Sequence, residues 1–204
     1  MQPNKQKIGI YGGSFDPIHF GHLNLAIRLF EIHQLDEVWF CPAGVNPHKL
    51  NLPPAAAKHR LEMVRLATQD IPHFRVIDLE IKKQGPSYTV DTLRALQEKF
   101  KGNSPKKNYL LLGEDAALDF CSWREPEEIV KLATPLVGTR TKDLKNKIVG
   151  DPAICQKLKE GVTPTEIFDI SSTDIRKRLA GGLYVGHLVP AKVLDYIYTH
   201  KLYF

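Results

Sequence analysis

The sequence predicts a doubly wound α/β domain, with a largely parallel sheet and helices on both faces. Three observations carry this. Strand-like and helix-like patterns alternate along the 204 residues. Two stretches, Asn108–Gly113 and Pro135–Thr139, are the continuous apolar runs expected of central parallel strands. The unusual stretches, 12–22, 42–49, 85–92, 113–115 and 171–176, each follow a predicted strand directly, where ligands bind in such folds.

The elements follow in order. Ile8–Tyr11 opens as a buried strand, and Gly12-Gly13 allows it to turn. After His22, the spacing of Leu23, Ala26, Ile27 and Phe30 predicts a helix with one apolar face. Asp36–Cys41 reads as a second strand stopped by Pro42, and Ala43–Ala57, with Gly44 and three prolines, as a long loop of the kind that is functional or mobile. A helix is predicted over Lys58–Asp70, with Leu61, Val64 and Ala67 inward, and a strand over Phe74–Ile81. Gly85-Pro86 marks a turn. Thr89–Phe100 reads as a helix, with Leu93, Leu96 and Phe100 on one side and Gly102 beyond its end. Glu125–Ala133 and Asp151–Glu160 are further helices, with Pro126 tolerated in a first turn. Glu166–Ile170 reads as a last short strand. A helix starts at Ser171, where Ser171 and Asp174 have the spacing of a capping box, and ends at Gly181-Gly182. Pro190–Tyr198 is a C-terminal helix on Val193, Tyr196 and Ile197.

Length and composition, 43% apolar and 25% charged residues, fit one globular domain over residues 1–204, with a C-terminal helical segment from about residue 171. No run approaches the roughly 20 apolar residues of a membrane span, and the N-terminus has no apolar signal region. Cys41, Cys121 and Cys155 are odd in number and far apart, which suits reduced thiols in a cytoplasm. A net charge of +5 suits polyanionic small substrates. No dense basic stripe or interleaved aromatic pattern speaks for a nucleic-acid partner. Oligomeric state is not readable.

Two stretches are built for phosphate. In Gly12-Gly13-Ser14-Phe15-Asp16-Pro17-Ile18-His19-Phe20-Gly21-His22 a strand turns into a helix, leaving backbone N–H groups and partial positive charge at the helix start. Glycines let a phosphate approach the backbone, and histidines three apart share one helix face. Alone, Gly-Gly is a tight turn and a histidine a surface residue; the whole string points to phosphate chemistry. In Ile170-Ser171-Ser172-Thr173-Asp174-Ile175-Arg176, three hydroxyls gather at a helix start with a forked cation following. Alone it would be an N-cap and a surface arginine.

These strings carry a resemblance. The first is similar to the H-x-G-H signature of the nucleotidyltransferase superfamily, and the second to its I-S-S-T-x-I-R signature. Pro86-Ser87-Tyr88-Thr89-x-Asp91-Thr92-Leu93, otherwise a helix cap, resembles the string typical of bacterial nicotinate-nucleotide adenylyltransferases. Gly113-Glu114-Asp115 with Trp123 resembles that family's G-x-D…W element, although a tryptophan at such spacing is more often core. Asn46-Pro47-His48-Lys49 resembles its N-P-P-H-K loop, with one proline in place of two. The resemblance runs from Ile8 to Ile197, with no usable signature over 142–165.

It implies a Rossmann-like fold and adenylyl transfer from ATP to nicotinate mononucleotide, giving nicotinate adenine dinucleotide and pyrophosphate. His19, His22 and Arg176 would be catalytic. Gly12, Gly13, Ser14, Phe15, Asp115, Ser171, Ser172 and Thr173 would hold ATP; Lys49, Ser87, Tyr88, Thr89 and Trp123 would hold the mononucleotide. Mg²⁺ would travel with ATP, without a dedicated protein cage. The rival acceptors are nicotinamide mononucleotide and phosphopantetheine, the latter disfavoured by the Ser87–Leu93 string. A relation to class I aminoacyl-tRNA synthetases lacks the K-M-S-K-S string. A nucleotide-binding regulator without catalysis is disfavoured by the intact histidines and Arg176.

Overall fold

The computed structural model describes residues 6–45, 55–83, 85–100, 106–139, 141, 143–166 and 168–204. The predicted loop residues Asn46, His48 and Lys49, and Gly102, lie outside them.

In chain order the elements are β1 (Gln6–Gly13), α1 (Phe20–His33), β2 (Glu37–Pro42), α2 (Ala57–Thr68), β3 (Phe74–Val76), α3 (Leu79–Lys82), α4 (Thr89–Lys99) and β4 (Lys106–Leu112). Then come α5 (Glu114–Asp119), α6 (Pro126–Leu132), β5 (Thr134–Thr139), α7 (Leu144–Lys147), α8 (Pro152–Glu160), β6 (Val162–Pro164), α9 (Ser172–Ala180) and α10 (Ala191–Thr199). The strands form one parallel six-stranded sheet in the order β3-β2-β1-β4-β5-β6. Register is set by pairs such as Ile8 with Asn108, Leu111 with Leu136, and Gly138 with Thr163. This is the doubly wound architecture predicted from the alternation of elements. Among the described residues no helix is long and apolar enough to cross a membrane.

The chain divides into two compact units. The first comprises residues up to Tyr11, Leu25–Trp39 and Tyr88–Ile167. Its core holds Ile8, Ile10, Leu29, Val38, Val90, Leu93, Leu110, Leu111, Phe120, Val137 and Leu158, all at most 2% exposed. Each such side chain contributes about 1.5–3 kcal/mol of burial. The second comprises Gly12–Asn24, Phe40–Ser87 and Phe168–Phe204. Its core holds Phe15, Ile18, Phe40, Met63, Val64, Ile175, Val185, Val189, Val193 and Ile197, and α10 lies on α2.

Four expectations need correction. The strand expected over 74–81 is three residues long. Ile77 N–H still reaches the carbonyl of Phe40 at 2.9 Å, but the chain then turns into α3, braced by a Lys82–Asp78 ion pair at 3.0 Å. The last strand is Val162–Pro164, not Glu166–Ile170. It pairs with β5 as an edge strand, where a proline without an N–H is tolerated, and Phe168 stands 52% exposed. The inner face of α1 is Leu23, Leu25, Ala26 and Leu29, with Ile27 and Phe30 only half-buried. On α2 the buried set is Arg60, Met63, Val64, Ala67 and Thr68, and Leu61 is half-buried. The short helices α3, α5 and α7 were not foreseen, because four to six residues carry too little periodicity.

Candidate active site

The second unit contains the turn after β1. Gly12 is exposed, and a Cβ there would meet nothing within 4 Å, so its backbone lies open. The left-handed residue of the turn is not a glycine but Phe15, at φ 48°. That conformation costs an L-residue roughly 1–2 kcal/mol. It is offset by burial of the ring, which packs against Phe40 at 5.8 Å and edge-on to His22 at 5.1 Å. Phe15 therefore acts as the packed foot of the turn.

His19 precedes α1 and His22 sits in its first turn. Their rings stack at 3.7 Å. The backbone N–H of each donates to Nδ1 of the other at 3.3 Å. Because an N–H can only donate, both Nδ1 atoms are acceptors, and each neutral ring carries its proton on Nε2. The pair thus offers two neighbouring Nε2–H donors. Burial, with 5% of His19 exposed, pushes its imidazolium pKa down to about 4, so that ring is neutral at physiological pH.

The same unit joins this turn to the start of α9. Ser171 caps that helix by accepting from Thr173 N–H at 3.2 Å; the bond goes to the second residue, where a full capping box would use Asp174. Ser172 Oγ donates to the carbonyl of Pro17 at 2.9 Å. Arg176 Nη1 donates to the carbonyl of Asp16 at 2.7 Å and lies 3.5 Å from its carboxylate. Asp16 is 5% exposed, and its Oδ1 accepts from Ala55 N–H at 3.1 Å and from the Tyr203 hydroxyl at 2.7 Å. Two phosphate-type strings about 150 residues apart are therefore one structure, with Arg176 anchored at one end. Ser87 also belongs to this unit. Its Oγ accepts from Gly44 N–H at 3.0 Å, and its own N–H donates to Val45 at 2.9 Å. Gly44 has no room for a side chain, since a Cβ would stand 2.4 Å from the carbonyl oxygen of Glu80.

One residue here was not anticipated. Arg60 is 2% exposed, and its guanidinium donates to the carbonyls of Ser14, Gly44 and Ala55 at 2.8, 2.8 and 3.0 Å. Only its position on a predicted helix, off the apolar stripe, was visible in sequence.

The first unit holds the remaining predicted residues. Tyr88 immediately precedes α4, which begins at Thr89, and the Arg124 guanidinium lies over the Tyr88 ring at 4.8 Å. Arg124, beside Trp123, is a second cation that sequence reasoning missed. Asp115 is exposed in the first turn of α5. Its neighbour Glu114 anchors that turn, accepting from the Thr139 hydroxyl and from Thr141 N–H at 3.2 Å. Trp123 is half-buried, backed by Phe120 at 5.1 Å. Among the described residues no group of three or more His, Cys, Asp or Glu side chains is placed to hold a metal ion.

Residues 10–178 match the cytidylyltransferase-like family model. The chain is 42% identical over 202 residues to a probable nicotinate-nucleotide adenylyltransferase of Dictyoglomus thermophilum, covering 97% of this chain and 99% of that one. It is 39% identical to a probable nicotinate-nucleotide adenylyltransferase of Thermomicrobium roseum, covering 97% and 91%. Among solved structures, nicotinic acid mononucleotide adenylyltransferase of Plasmodium falciparum complexed with NaAD is similar at a TM-score of 0.76, with 23% identity over 97% of each chain. At that identity the likeness speaks for the fold.

Proposed function

The chain belongs to the nicotinate-nucleotide adenylyltransferase family, and from that premise we propose that it joins ATP to nicotinate mononucleotide in NAD biosynthesis. A phosphate oxygen of the mononucleotide attacks the α-phosphorus of ATP. The bond from that phosphorus to the bridging oxygen breaks, and pyrophosphate leaves with the electron pair. The products are nicotinate adenine dinucleotide and pyrophosphate.

Such a transfer asks the protein for alignment and for charge stabilisation, not for a covalent intermediate. His19 and His22 present Nε2–H donors to non-bridging and leaving oxygens. Arg176 holds the pyrophosphate end, together with Ser171, Ser172 and Thr173 at the start of α9. Gly12, Gly13, Ser14 and Phe15 supply backbone contacts to the nucleotide. Asp115 takes a ribose hydroxyl. Trp123 stacks on the pyridine ring, while Tyr88 and Thr89 meet its carboxylate through backbone amides and Ser87 through its hydroxyl proton. Lys49 is assigned to a substrate phosphate by motif alone. Mg²⁺ enters as part of the substrate Mg²⁺-ATP, bridged by phosphate oxygens and water. We read the 204 residues as one nucleotidyltransferase domain acting in the cytoplasm on small molecules, with neither nucleic acid nor membrane as partner.

The observation that carries the reading is the union of the His19/His22 turn with the start of α9 through Ser172 to Pro17 and Arg176 to Asp16. The test is pyrophosphate release from Mg²⁺-ATP with nicotinate mononucleotide, nicotinamide mononucleotide or phosphopantetheine. Fast release with the nicotinate nucleotide alone is expected. Equal rates with acid and amide would defeat the carboxylate assignment, and silence with all three would defeat the reaction.

A further inference from the structure

A guanidinium buried to 2% exposure is costly. Even with partners, removing an ion from water leaves a penalty that attraction to those partners need not repay. If α2 needed only volume at position 60, a methionine or leucine would serve at lower cost. What the site requires is a rigid fork with donors in several directions. Nη1 goes to Ser14 in the turn after β1, Nη2 to Gly44 after β2, and Nε to Ala55 just before α2. These segments come from three places in the sequence, and each carbonyl would otherwise lack this partner. Burial pushes the Arg60 pKa down, and the carboxylates of Asp16 and Glu80 oppose it by favouring the charge. A second link continues the chain of contacts, since Gly44 N–H donates to Ser87 Oγ.

We propose that Arg60 is a positioning residue of the transfer reaction, holding the phosphate turn at Ser14 in fixed relation to the Gly44–Ser87 segment. This rests on the reaction proposed above, in which Ser14 contacts ATP and Ser87 the acceptor. Arg60 touches neither substrate. It sets the spacing of two backbone segments that each meet one, and a displacement of about 1 Å at such a place costs about 100-fold in rate.

The experiment compares Arg60→Lys, which keeps the charge but loses the fork, and Arg60→Met, which keeps the bulk, with wild type. Met63→Ala, a buried cavity on the same helix outside the binding machinery, controls for plain destabilisation. Each is melted first and assayed well below its own melting temperature, varying ATP and the acceptor separately. Both Arg60 variants should lose about 10- to 100-fold in kcat at saturation of both substrates. Met63→Ala should melt earlier with wild-type kcat and KM. A folded Arg60 variant with wild-type kcat and KM would overturn the proposal. If neither folds, the ¹⁵N signal of the Arg60 Nε–H in wild type decides. A shift on adding ATP alone and again on adding acceptor alone supports the link, and an unmoved signal with both refutes it. A wild type that releases no pyrophosphate with any acceptor overturns the proposed reaction and this inference together; an active wild type with unaltered Arg60 variants overturns this inference alone.

Discussion

The two units treat their functional residues in opposite ways. In the second, His19, Asp16 and Arg60 are each at most 5% exposed; Asp16 and Arg60 are held by backbone groups of distant segments, and the His19 ring by the N–H of His22. In the first, Asp115 and Arg124 are exposed and Trp123 is half-buried against a single ring. In the proposed reaction His19 stabilises charge as it appears, with Asp16 and Arg60 holding the turn that carries it, and preorganised donors act best when they need not reorganise. In the same proposal the open set recognises a ground-state substrate, with contacts that form on binding. Substitutions in the histidine turn should therefore change rate, and those in the open set affinity.

The largest expected effect is His22→Ala. Losing one Nε2–H donor should lower kcat by about 100- to 1,000-fold, with the melting temperature nearly unchanged. Near-normal turnover would remove the basis of the contrast. Next is the acid sensitivity of His19. In the unfolded chain its pKa is ordinary, whereas in the fold burial holds it at about 4. From pH 6.5 down to about 4 only the unfolded state takes the proton, so stability falls across that window, by on the order of 3 kcal/mol at its end. Urea unfolding at pH 7 and pH 4.5 should show a steeper loss for wild type than for His19→Asn; parallel losses would count against a buried neutral imidazole.

Trp123→Ala should raise KM for the acceptor by about tenfold, at constant kcat, through lost stacking. A fall in kcat instead would erase the division of labour. The smallest effect should come from the exposed Arg94–Glu125 pair, at 2.6 Å. Its double alanine variant should match wild type in melting and turnover, as exposed pairs usually do.

Much of this was legible in the sequence for a physical reason: parallel strands, capped helices and phosphate turns use local letters. The Gly12–His22 and Ser171–Arg176 strings each announce a helix start. The spacing of His19 and His22 predicts a shared helix face, whereas His19 stands just before α1 and the stacking of the two rings was not foreseen. Arg60 was not legible, because a basic residue beside an apolar stripe reads as solvated, and its burial depends on carbonyls at Ser14 and Gly44 far from it in sequence. Nor was the role of Tyr203, whose hydroxyl serves Asp16 from 187 residues away. β6 was misplaced because the apolar letters of Phe168 and Ile170 attract a strand assignment, whereas the pairing went to Val162–Pro164, which β5 could reach.

The carboxylate of Asp16 has a consequence for biosynthesis. Two partners of the turn after β1, Arg176 and Tyr203, lie 160 and 187 residues downstream of Asp16. At about 5–20 residues per second the ribosome needs on the order of 10 to 40 seconds to reach them. Throughout that interval the nascent chain carries the histidine pair without these two anchors. The turn can acquire its final aim only after Tyr203 has been made, which ties the onset of catalysis to the completion of translation through that residue.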